Sequence, residues 1–496
     1  MGDIKDPRYS RPIDVHRWSD HPEVKGLADR VWEEAGLDGL VKGSSGPKPK
    51  RPYREQLRVL LLDLYVAWLE DPDLSIGVAM GFNAWNTGSR YNALHISKKI
   101  LEIIPALDAA GLIDLSKGSY SGPNAPGNRN TRIRASETLR QWFVDARFGR
   151  EDISRATGEE IIVLKDKDDG KNARPIEYED TPDTNRMRDE LKAYNDLIAS
   201  SFIDIRTLEE PVLEIRDDSG ITRRIRLAED ACRTRRIFSR GSWYLNGRFY
   251  GGWWQRINSD LRRQIMIDNE PTIEVDFQGL HVAMLYAQSG KAMADDPYRI
   301  SLSKYSNFSP EQLRKLTKQL VLKAINAKDK ASAYRAFRGD IPEGDPAKNL
   351  KDTDLDQITE AFLKRNPVLE NHLFSDRGID LMRLDSEITE RVHNHFTKKG
   401  IPVLSVHDSY IIAVDHVDEL RQVMADASEA VVGRPLRCGV DVPGYGEFDD
   451  VPEEDLKDYI GRLTWDAYRG EQTACRGYVE RMLAYEKRTG RRVSPL

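Results

Sequence analysis

Hydrophobic positions recur along the chain with two different periods, and each period predicts one kind of element. From Tyr53 to Glu70 apolar residues return every three or four positions, which predicts an amphipathic helix. Similar helical patterns begin at Ile96 and cover residues 183–202. By contrast, residues 273–277 and 403–414 contain short apolar and β-branched runs beside turn residues, which predict strands. The mixture predicts an α+β fold.

A basic hairpin is predicted after the second helical pattern. LIDLSKG and RNTRIRAS alternate apolar and polar residues on either side of a loop rich in glycine, proline and asparagine. Helices followed by a basic hairpin outline a winged helix-turn-helix, a module that contacts phosphates with basic side chains. The residues predicted to do so are Lys98, Lys99, Arg129, Arg132 and Arg134. A small helical domain that binds protein is the alternative.

Length and composition restrict the class of protein. A chain of 496 residues predicts two or three folded units. No apolar run approaches the roughly 18–20 residues that cross a bilayer, and the charged start MGDIKDPRYS does not resemble a signal sequence, so we expect a cytoplasmic protein without a membrane partner. The net charge of -6 averages over faces of different sign and leaves nucleic-acid binding open.

Two aspartates stand where predicted strands end. Asp276 closes the run IEVDF, and Asp408 lies in the turn between VLSV and YIIAV. Carboxylates on neighbouring strands can hold two Mg²⁺ ions about 3.5–4 Å apart, which suits chemistry on phosphates. Each aspartate taken alone would be read as a turn or capping residue.

A basic helix adds a third element. In EQLRKLTKQLVLKAINA the side chains of Arg314 and Lys318 are four residues apart and therefore share one helical face. Two cations so placed can grip a triphosphate and stabilise the charge that develops during phosphoryl transfer. The same spacing also occurs on plain surface helices.

The order and spacing of these residues resemble the palm and fingers of family A DNA polymerases and the related phage-type single-subunit RNA polymerases. Val275-Asp276-Phe277 is similar to motif A, Arg314 and Lys318 to the first half of motif B, and His407-Asp408-Ser409 to motif C. Upstream, Arg248 in NGRFYGGWWQRI matches the arginine that contacts primer or template in that family. The resemblance covers roughly residues 235–445.

The resemblance implies a right-hand palm with an antiparallel sheet and helical fingers. It implies nucleotidyl transfer with two Mg²⁺ or Mn²⁺ ions on Asp276, Asp408 and the backbone carbonyl of Phe277, with nucleoside triphosphates as substrates and single-stranded or primed DNA as template. Arg314 and Lys318 would hold the phosphates, and Lys318 would protonate the leaving pyrophosphate. The other residues implied in binding are His281, Leu322 and Asn326 around the nucleotide, and Arg248 and His407 at primer or template.

Departures from the family pattern affect specificity. His281 stands where the DNA enzymes carry a sugar-blocking glutamate, Leu322 and Asn326 replace the aromatic and the tyrosine of motif B, and Ser409 gives motif C its RNA-polymerase-like form. A second register would put Lys323 in the place of the motif B lysine. Trp253 and Trp254 could stack on bases or pack in a core.

Segments and architecture favour a primase or DNA polymerase of a mobile element. A linker-like 43–52 sets off an N-terminal appendage at 1–42. The remaining predicted segments are a winged-helix-like domain at 53–148, a linker and thumb-like region at 149–234, the palm and fingers at 235–445, and a helical segment at 446–496. A primer-dependent DNA polymerase, a single-subunit RNA polymerase, a non-catalytic replication initiator and a nuclease stay open, as does a helicase or single-strand-binding protein as partner.

Overall fold

The computed structural model describes residues 4, 6, 9–43, 49–81, 85–119, 121–122, 128–166, 173–216, 222–293, 295–302 and 308–493, and only the backbone of 41–43 and 467–473. Parts of the predicted linker (44–48), of the hairpin loop (123–127) and of two later turns (167–172 and 217–221) lie outside these residues. The chain forms two compact units. The first comprises Met1–Glu160, Val212–Glu214 and Arg224–Asp230, and the second comprises Ile161–Pro211, Ile215–Arg223 and Ala231–Leu496.

The first unit combines helices with a small sheet. Its elements up to residue 155 are β1 (Ser10–Pro12), β2 (Arg17–Trp18), α1 (Pro22–Glu34), α2 (Asp38–Gly43), α3 (Tyr53–Glu70), β3 (Ser75–Val78), α4 (Ile100–Ala109), β4 (Ile113–Ser116), β5 (Thr131–Ala135), α5 (Glu137–Asp145) and β6 (Ser154–Arg155). Helix α3 has the predicted bounds, and β4 pairs antiparallel with β5 as predicted. The sheet order β1-β3-β5-β4 adds two strands that the hydrophobic pattern did not predict.

The first 42 residues are not separate from this unit. Val24, Leu27 and Val31 on α1 are buried in the same core as Leu57 and Leu60 on α3. Helix α1 has an apolar stripe that needs a partner, and α3 is long enough to provide one. The prediction of an N-terminal appendage is therefore wrong for helix α1.

The second unit contains the residues that the sequence analysis compared with motifs A, B and C. From residue 162 onwards the elements are β7 (Ile162–Leu164), α6 (Pro182–Ala199), β8 (Ile203–Ile205), β9 (Val212–Arg216), β10 (Thr222–Arg226), β11 (Arg235–Ser239), β12 (Ser242–Tyr250), α7 (Ser259–Arg262), β13 (Ile265–Ile267), β14 (Glu270–Phe277), α8 (Leu280–Gln288), α9 (Pro310–Asn326), α10 (Lys330–Asp340), α11 (Asp352–Arg365), α12 (Gly378–Lys399), β15 (Val403–Val406), β16 (Ser409–Ala413), α13 (Val417–Val432), β17 (Cys438–Val440), α14 (Glu453–Thr473) and α15 (Arg476–Thr489). Strands β9 and β10 pair with each other in a two-stranded sheet, and part of each belongs to the first unit.

An antiparallel sheet with the order β15-β16-β14-β13-β8 runs through this unit, and β17 pairs with β14 beside β13. Strands β14, β15 and β16 are buried along almost their whole length. A strand covered on both faces needs apolar residues at successive positions, which explains the continuous apolar runs in the sequence. The predicted α+β class is confirmed.

The tryptophan pair is part of the packing. Trp253 and Trp254 are 1% and 0% exposed, and the Trp254 indole N–H donates to the Ser405 carbonyl at 3.1 Å. Of the two interpretations of this pair, core packing is the correct one. Across the described residues, the helices include none with the length and apolar composition needed to span a bilayer.

Candidate active site

Asp276 and Asp408 are brought together by backbone pairing. Asp276 is opposite Ser409 in the antiparallel register of β14 and β16, so Asp408 directly precedes its partner. The Phe277 N–H donates to the Asp408 carbonyl at 3.1 Å, which continues the ladder past the end of β16. The two carboxylate-bearing residues therefore occupy the same end of adjacent strands, as the sequence predicted.

Asp408 lies in a tight and exposed turn. Val406 pairs with Ser409, so only His407 and Asp408 connect β15 to β16. His407 has a φ of 55°, a left-handed conformation that residues other than glycine seldom adopt. Its ring packs edge-on to Tyr250 at 5.9 Å between centroids. The turn holds Asp408 at the surface of the sheet, where a substrate can reach it.

Asp276 lies in a strongly negative environment. Burial, followed by the charges of Asp408 and Glu447, raises the pKa of Asp276 to about 7. Two other nearby acids have their own arginines: Arg262 binds Glu274 at 2.8 and 3.0 Å, and Arg263 binds Asp441 at 2.9 Å. The excess negative charge is thus concentrated on Asp276 and Asp408.

The two aspartates are candidate ligands for a divalent cation. Within the described residues neither carboxylate has an ion-pair partner, and Asp408 interacts with the charge of Arg248 only at longer range. Carboxylate and carbonyl oxygens are the donors that Mg²⁺ and Mn²⁺ prefer, and the Phe277 carbonyl directly follows Asp276. In the part of the chain that the structure describes, no group of three or more His, Cys, Asp or Glu side chains is arranged as a metal site.

Arg248 is held next to this pair by residues from two other elements. Its Nε donates to Asp385 on α12, a side chain that is 1% exposed, and its terminal nitrogen is 3.3 Å from His281 Nε2 on α8. Burial, reinforced by the Arg248 charge, lowers the pKa of His281 to about 4, so the imidazole is neutral at pH 7. Asp385 Oδ1 and His281 Nδ1 have no hydrogen-bond partner among the described residues.

Asp385 was not among the predicted site residues, although the sequence carries a signal for it. In LMRLDSEITERV it lies on the same helical stripe as Leu381, Ile388 and Val392, all of which are buried. A carboxylate on the apolar stripe of a helix needs a buried partner. Burial raises the pKa of Asp385 to about 6, against the opposing effect of Arg248.

The predicted cation pair on α9 is also present, but it binds a carboxylate that the sequence did not predict. A capping box at Ser309 starts this helix and fixes its register. Lys318 Nζ lies 2.7 Å from Glu447 Oε2, and the Arg314 guanidinium lies 3.5 Å from the same oxygen and 2.6 Å from Asp296. Glu447 belongs to the loop between β17 and α14, where no sequence pattern distinguished it.

Leu322 and Asn326 lie further along α9. Asn326 is exposed, and its amide donates to the Leu322 carbonyl at 2.7 Å, while Leu322 is half-buried. At 1.5 Å per residue, Asn326 is about 12 Å along the helix from Lys318. Their predicted contacts with a sugar and base would therefore lie about one turn (Leu322) and two turns (Asn326) from Lys318.

The basic residues predicted to meet phosphates in the first unit make internal contacts. Arg132 is 4% exposed and donates to the Ile4 carbonyl at 2.9 Å and to Ser116 Oγ at 3.2 Å. Arg134 pairs with Asp73 and Asp114, and Lys99 with Glu102. Lys98 lies two residues before the start of α4. The arginines thus stabilise the sheet of their own unit, because each extends along the strand surface towards neighbouring acceptors.

Comparison with known proteins found no matching family model and no matching curated protein. Among solved structures, the chain is similar to the POL domain of Pol1 from M. smegmatis in complex with DNA primer-template and dNTP, with a TM-score of 0.28 and 10% sequence identity. The match covers 86% of this chain and 66% of that one. A similarity of this size does not by itself establish a shared fold or activity.

Proposed function

We propose that this chain is a template-directed nucleotidyltransferase that extends a nucleic-acid strand by two-metal chemistry. The observation that carries the proposal is the adjacency of Asp276 and Asp408, two carboxylates on paired strands without an ion-pair partner among the described residues. An arrangement of like charges is costly unless a cation neutralises it. Nucleotidyl transfer by two-metal chemistry needs a cation at the attacking hydroxyl and another at the phosphate, and a pair of adjacent carboxylates can bind both.

The proposed ligands are Asp276, Asp408 and the Phe277 carbonyl. Two Mg²⁺ or Mn²⁺ ions held there would activate a 3′-hydroxyl and neutralise charge on the phosphates. Asp408 reaches the site from an exposed turn, and Asp276 from the rigid end of a buried strand. The pairing of β14 with β16 keeps the two carboxylate-bearing residues in register.

The basic pair on α9 supplies the phosphate contacts. Arg314 and Lys318 already share a negatively charged partner, so both side chains converge on one point. In the proposed reaction they hold the triphosphate of the incoming nucleotide, and Lys318 donates a proton to the pyrophosphate as it leaves. A nuclease would have no use for this pair, which favours transfer over hydrolysis.

The primer side is assigned to Arg248. Asp385 fixes the arginine from behind, and the neutral His281 beside it can accept or donate a hydrogen bond to a sugar. His407 would meet the primer terminus from the turn, with Leu322 and Asn326 further out along α9. Because His281 replaces the sugar-blocking glutamate of the resembling DNA enzymes, we propose that ribonucleotides are accepted and that the enzyme acts as a primase or a mixed primase-polymerase.

The biological setting that we propose is replication of a mobile element, with a single-stranded or primed DNA template and a helicase or single-strand-binding protein as partner. Purified protein is incubated with single-stranded DNA, Mg²⁺ or Mn²⁺ and labelled nucleotides, with and without an annealed primer. Products without primer establish a primase, and labelled ribonucleotides against deoxyribonucleotides show which sugar it takes. Products that require a primer reject the primase proposal and establish a polymerase. Binding to DNA without any product contradicts the enzyme and favours a replication initiator.

A further inference from the structure

The carboxylate of Glu447 occupies the centre of the basic pair on α9. Its Oε2 accepts from Lys318 Nζ at 2.7 Å and lies 3.5 Å from the Arg314 guanidinium. Its Oε1 accepts from the Gly279 backbone N–H at 3.0 Å, at the start of α8. The Glu447 side chain is 15% exposed. The two charged groups and one amide therefore converge on a single, largely buried anion.

The neighbouring residue secures this position. The Phe448 ring lies 5.5 Å below the Arg314 guanidinium and 6.0 Å from the Tyr298 ring. Gly279 has a φ of 58°, and a Cβ on it would come within 3.0 Å of the Phe448 ring. Glycine at 279 therefore allows both the turn into α8 and the close approach of the loop. The loop that carries Glu447 is packed onto the donors through specific contacts.

The donors have the chemistry of a phosphate site. An ammonium, a guanidinium and a backbone N–H at a helix start are the groups that proteins use to bind phosphate oxygens. A glutamate brings one negative charge to them, whereas a triphosphate brings several and more acceptor oxygens. The charge of Glu447 also raises the pKa of Asp276. The glutamate is thus a suitable but weaker occupant than a polyphosphate.

We propose that Lys318, Arg314 and the Gly279 N–H form a polyphosphate cradle, and that Glu447 is its resident anion, which the polyphosphate of an incoming ligand must displace. The identity of that ligand as a nucleoside triphosphate rests on the proposed function. The cradle and its occupant rest on the contacts alone. The ligand binds only when Glu447 has left the donors. The apparent affinity for the polyphosphate is therefore reduced by the fraction of molecules in which Glu447 occupies them.

The test is calorimetric binding of inorganic tripolyphosphate to wild type, Glu447→Gln and Glu447→Ala, without metal or template. We expect both variants to bind at least about threefold more tightly than wild type, because the competing charge is gone. Glu454→Gln is the matched control, since it removes one acid from the first turn of α14 without touching the donors. Lys318→Ala is expected to bind more weakly in every background.

Unchanged or weaker binding by Glu447→Gln and Glu447→Ala, with the melting temperature retained, would overturn the proposal and make Glu447 a support for the two cations. A second arm repeats the titration with a nucleoside triphosphate and with pyrophosphate. It distinguishes a site that binds the phosphates of a nucleotide from one that binds inorganic polyphosphate. Tighter binding without nucleotide incorporation by any variant would keep the cradle and reject the polymerase. Nucleotide incorporation by wild type, together with unchanged polyphosphate affinity in both Glu447 variants, would reject the cradle and keep the polymerase.

Discussion

Asp276 and Asp408 are neighbours across a strand pair because Asp276 is in register with Ser409, the residue that follows Asp408. The contact between their chains is a backbone hydrogen bond from the Phe277 N–H to the Asp408 carbonyl, and neither carboxylate takes part in it. Replacing either side chain by its amide should therefore leave the sheet intact. Changes in activity after such replacements report on chemistry and charge.

Asp276→Asn should stabilise the protein when divalent cations are absent. The pKa of Asp276 is raised from 3.8 to about 7, so the folded state binds its proton more tightly than the unfolded chain. Stability consequently falls as pH rises from about 4 to 7 and stays reduced above that range. At pH 8 the variant should melt higher than wild type, by about 1–2 °C for each kcal/mol of repulsion removed.

Thermal unfolding between pH 4 and pH 8 measures this effect, and the difference between the proteins should shrink towards pH 4. Mg²⁺ or Mn²⁺ should raise the melting temperature of wild type more than that of Asp276→Asn. Asp418→Asn, which removes a 91% exposed acid from α13, is the control. A variant less stable than wild type at pH 8 would show that Asp276 is not under electrostatic strain.

Glu390→Gln should destabilise the second unit. Glu390 pairs with Arg236, which is 1% exposed, at 2.6 Å and also with Arg186. Burial alone would raise the pKa of Glu390, but the charges and hydrogen bonds of Arg236 and Arg186 together outweigh it and lower the pKa. Its stabilising contribution is therefore present above about pH 4.5 and is lost as pH falls below that value. Leaving Arg236 without its partner should cost about 3–5 kcal/mol at pH 7.

Urea unfolding at pH 7 and pH 3 measures this contribution, which should be much smaller at the lower pH. Glu190→Gln is a matched control, because it removes an acid that pairs with Arg186 at the surface and should cost less than about 1 kcal/mol. Equal losses for the two variants would contradict the account of Arg236.

Asp385→Asn should weaken the primer-side function of Arg248. Asp385 holds Arg248 from a fully buried position, and its pKa of about 6 means that Asp385 loses its negative charge, and Arg248 its ionic partner, as pH falls through 6. We expect wild type to show a pH dependence of KM near 6, and Asp385→Asn to lose it and to have a higher KM for primed template. Glu387→Gln, on the exposed side of the same helix, should behave as wild type. A pH profile unchanged in Asp385→Asn would contradict this positioning role.

Lys318→Ala should weaken nucleotide binding about 10- to 100-fold, as expected for loss of a charge-assisted hydrogen bond. Lys315→Ala removes an exposed lysine from the same helix and should leave the dissociation constant unchanged. Fluorescence titration with a labelled nucleotide measures both. Equal effects of the two substitutions would show that α9 attracts nucleotides through its general charge and that Lys318 makes no specific contact.

The sequence predicted what depends on local pattern. Helical spacing gave α3 and α9, and the apolar runs gave β14, β15 and β16 with Asp276 and Asp408 at their ends. Each of these elements carries its period within its own residues, so the fold class and the pair of aspartates could be inferred without tertiary information. The palm, fingers and winged-helix assignments stay predictions.

The residues that complete the site depend on contacts between distant positions. Arg248 and Asp385 are 137 positions apart, and Lys318 and Glu447 are 129 apart. Local periodicity contains no information about such pairs, and Glu447 lies in a loop that has no period at all. The packing of α1 against α3 was missed for the same reason. The composition of residues 43–52 indicates a flexible connection, but it contains no information about whether the helices on either side of that connection contact each other.

The most direct test of the two-aspartate centre compares nucleotide incorporation by wild type, Asp276→Asn, Asp408→Asn and the exposed control Asp418→Asn on one primed and one unprimed template, with Mg²⁺ and then Mn²⁺. Each site variant loses a ligand of the cations that stabilise the charge on the reacting phosphate, so its rate should fall about 1,000-fold or more. The control should keep the wild-type rate. Incorporation at the wild-type rate by either Asp276→Asn or Asp408→Asn, with the fold retained, would contradict the account.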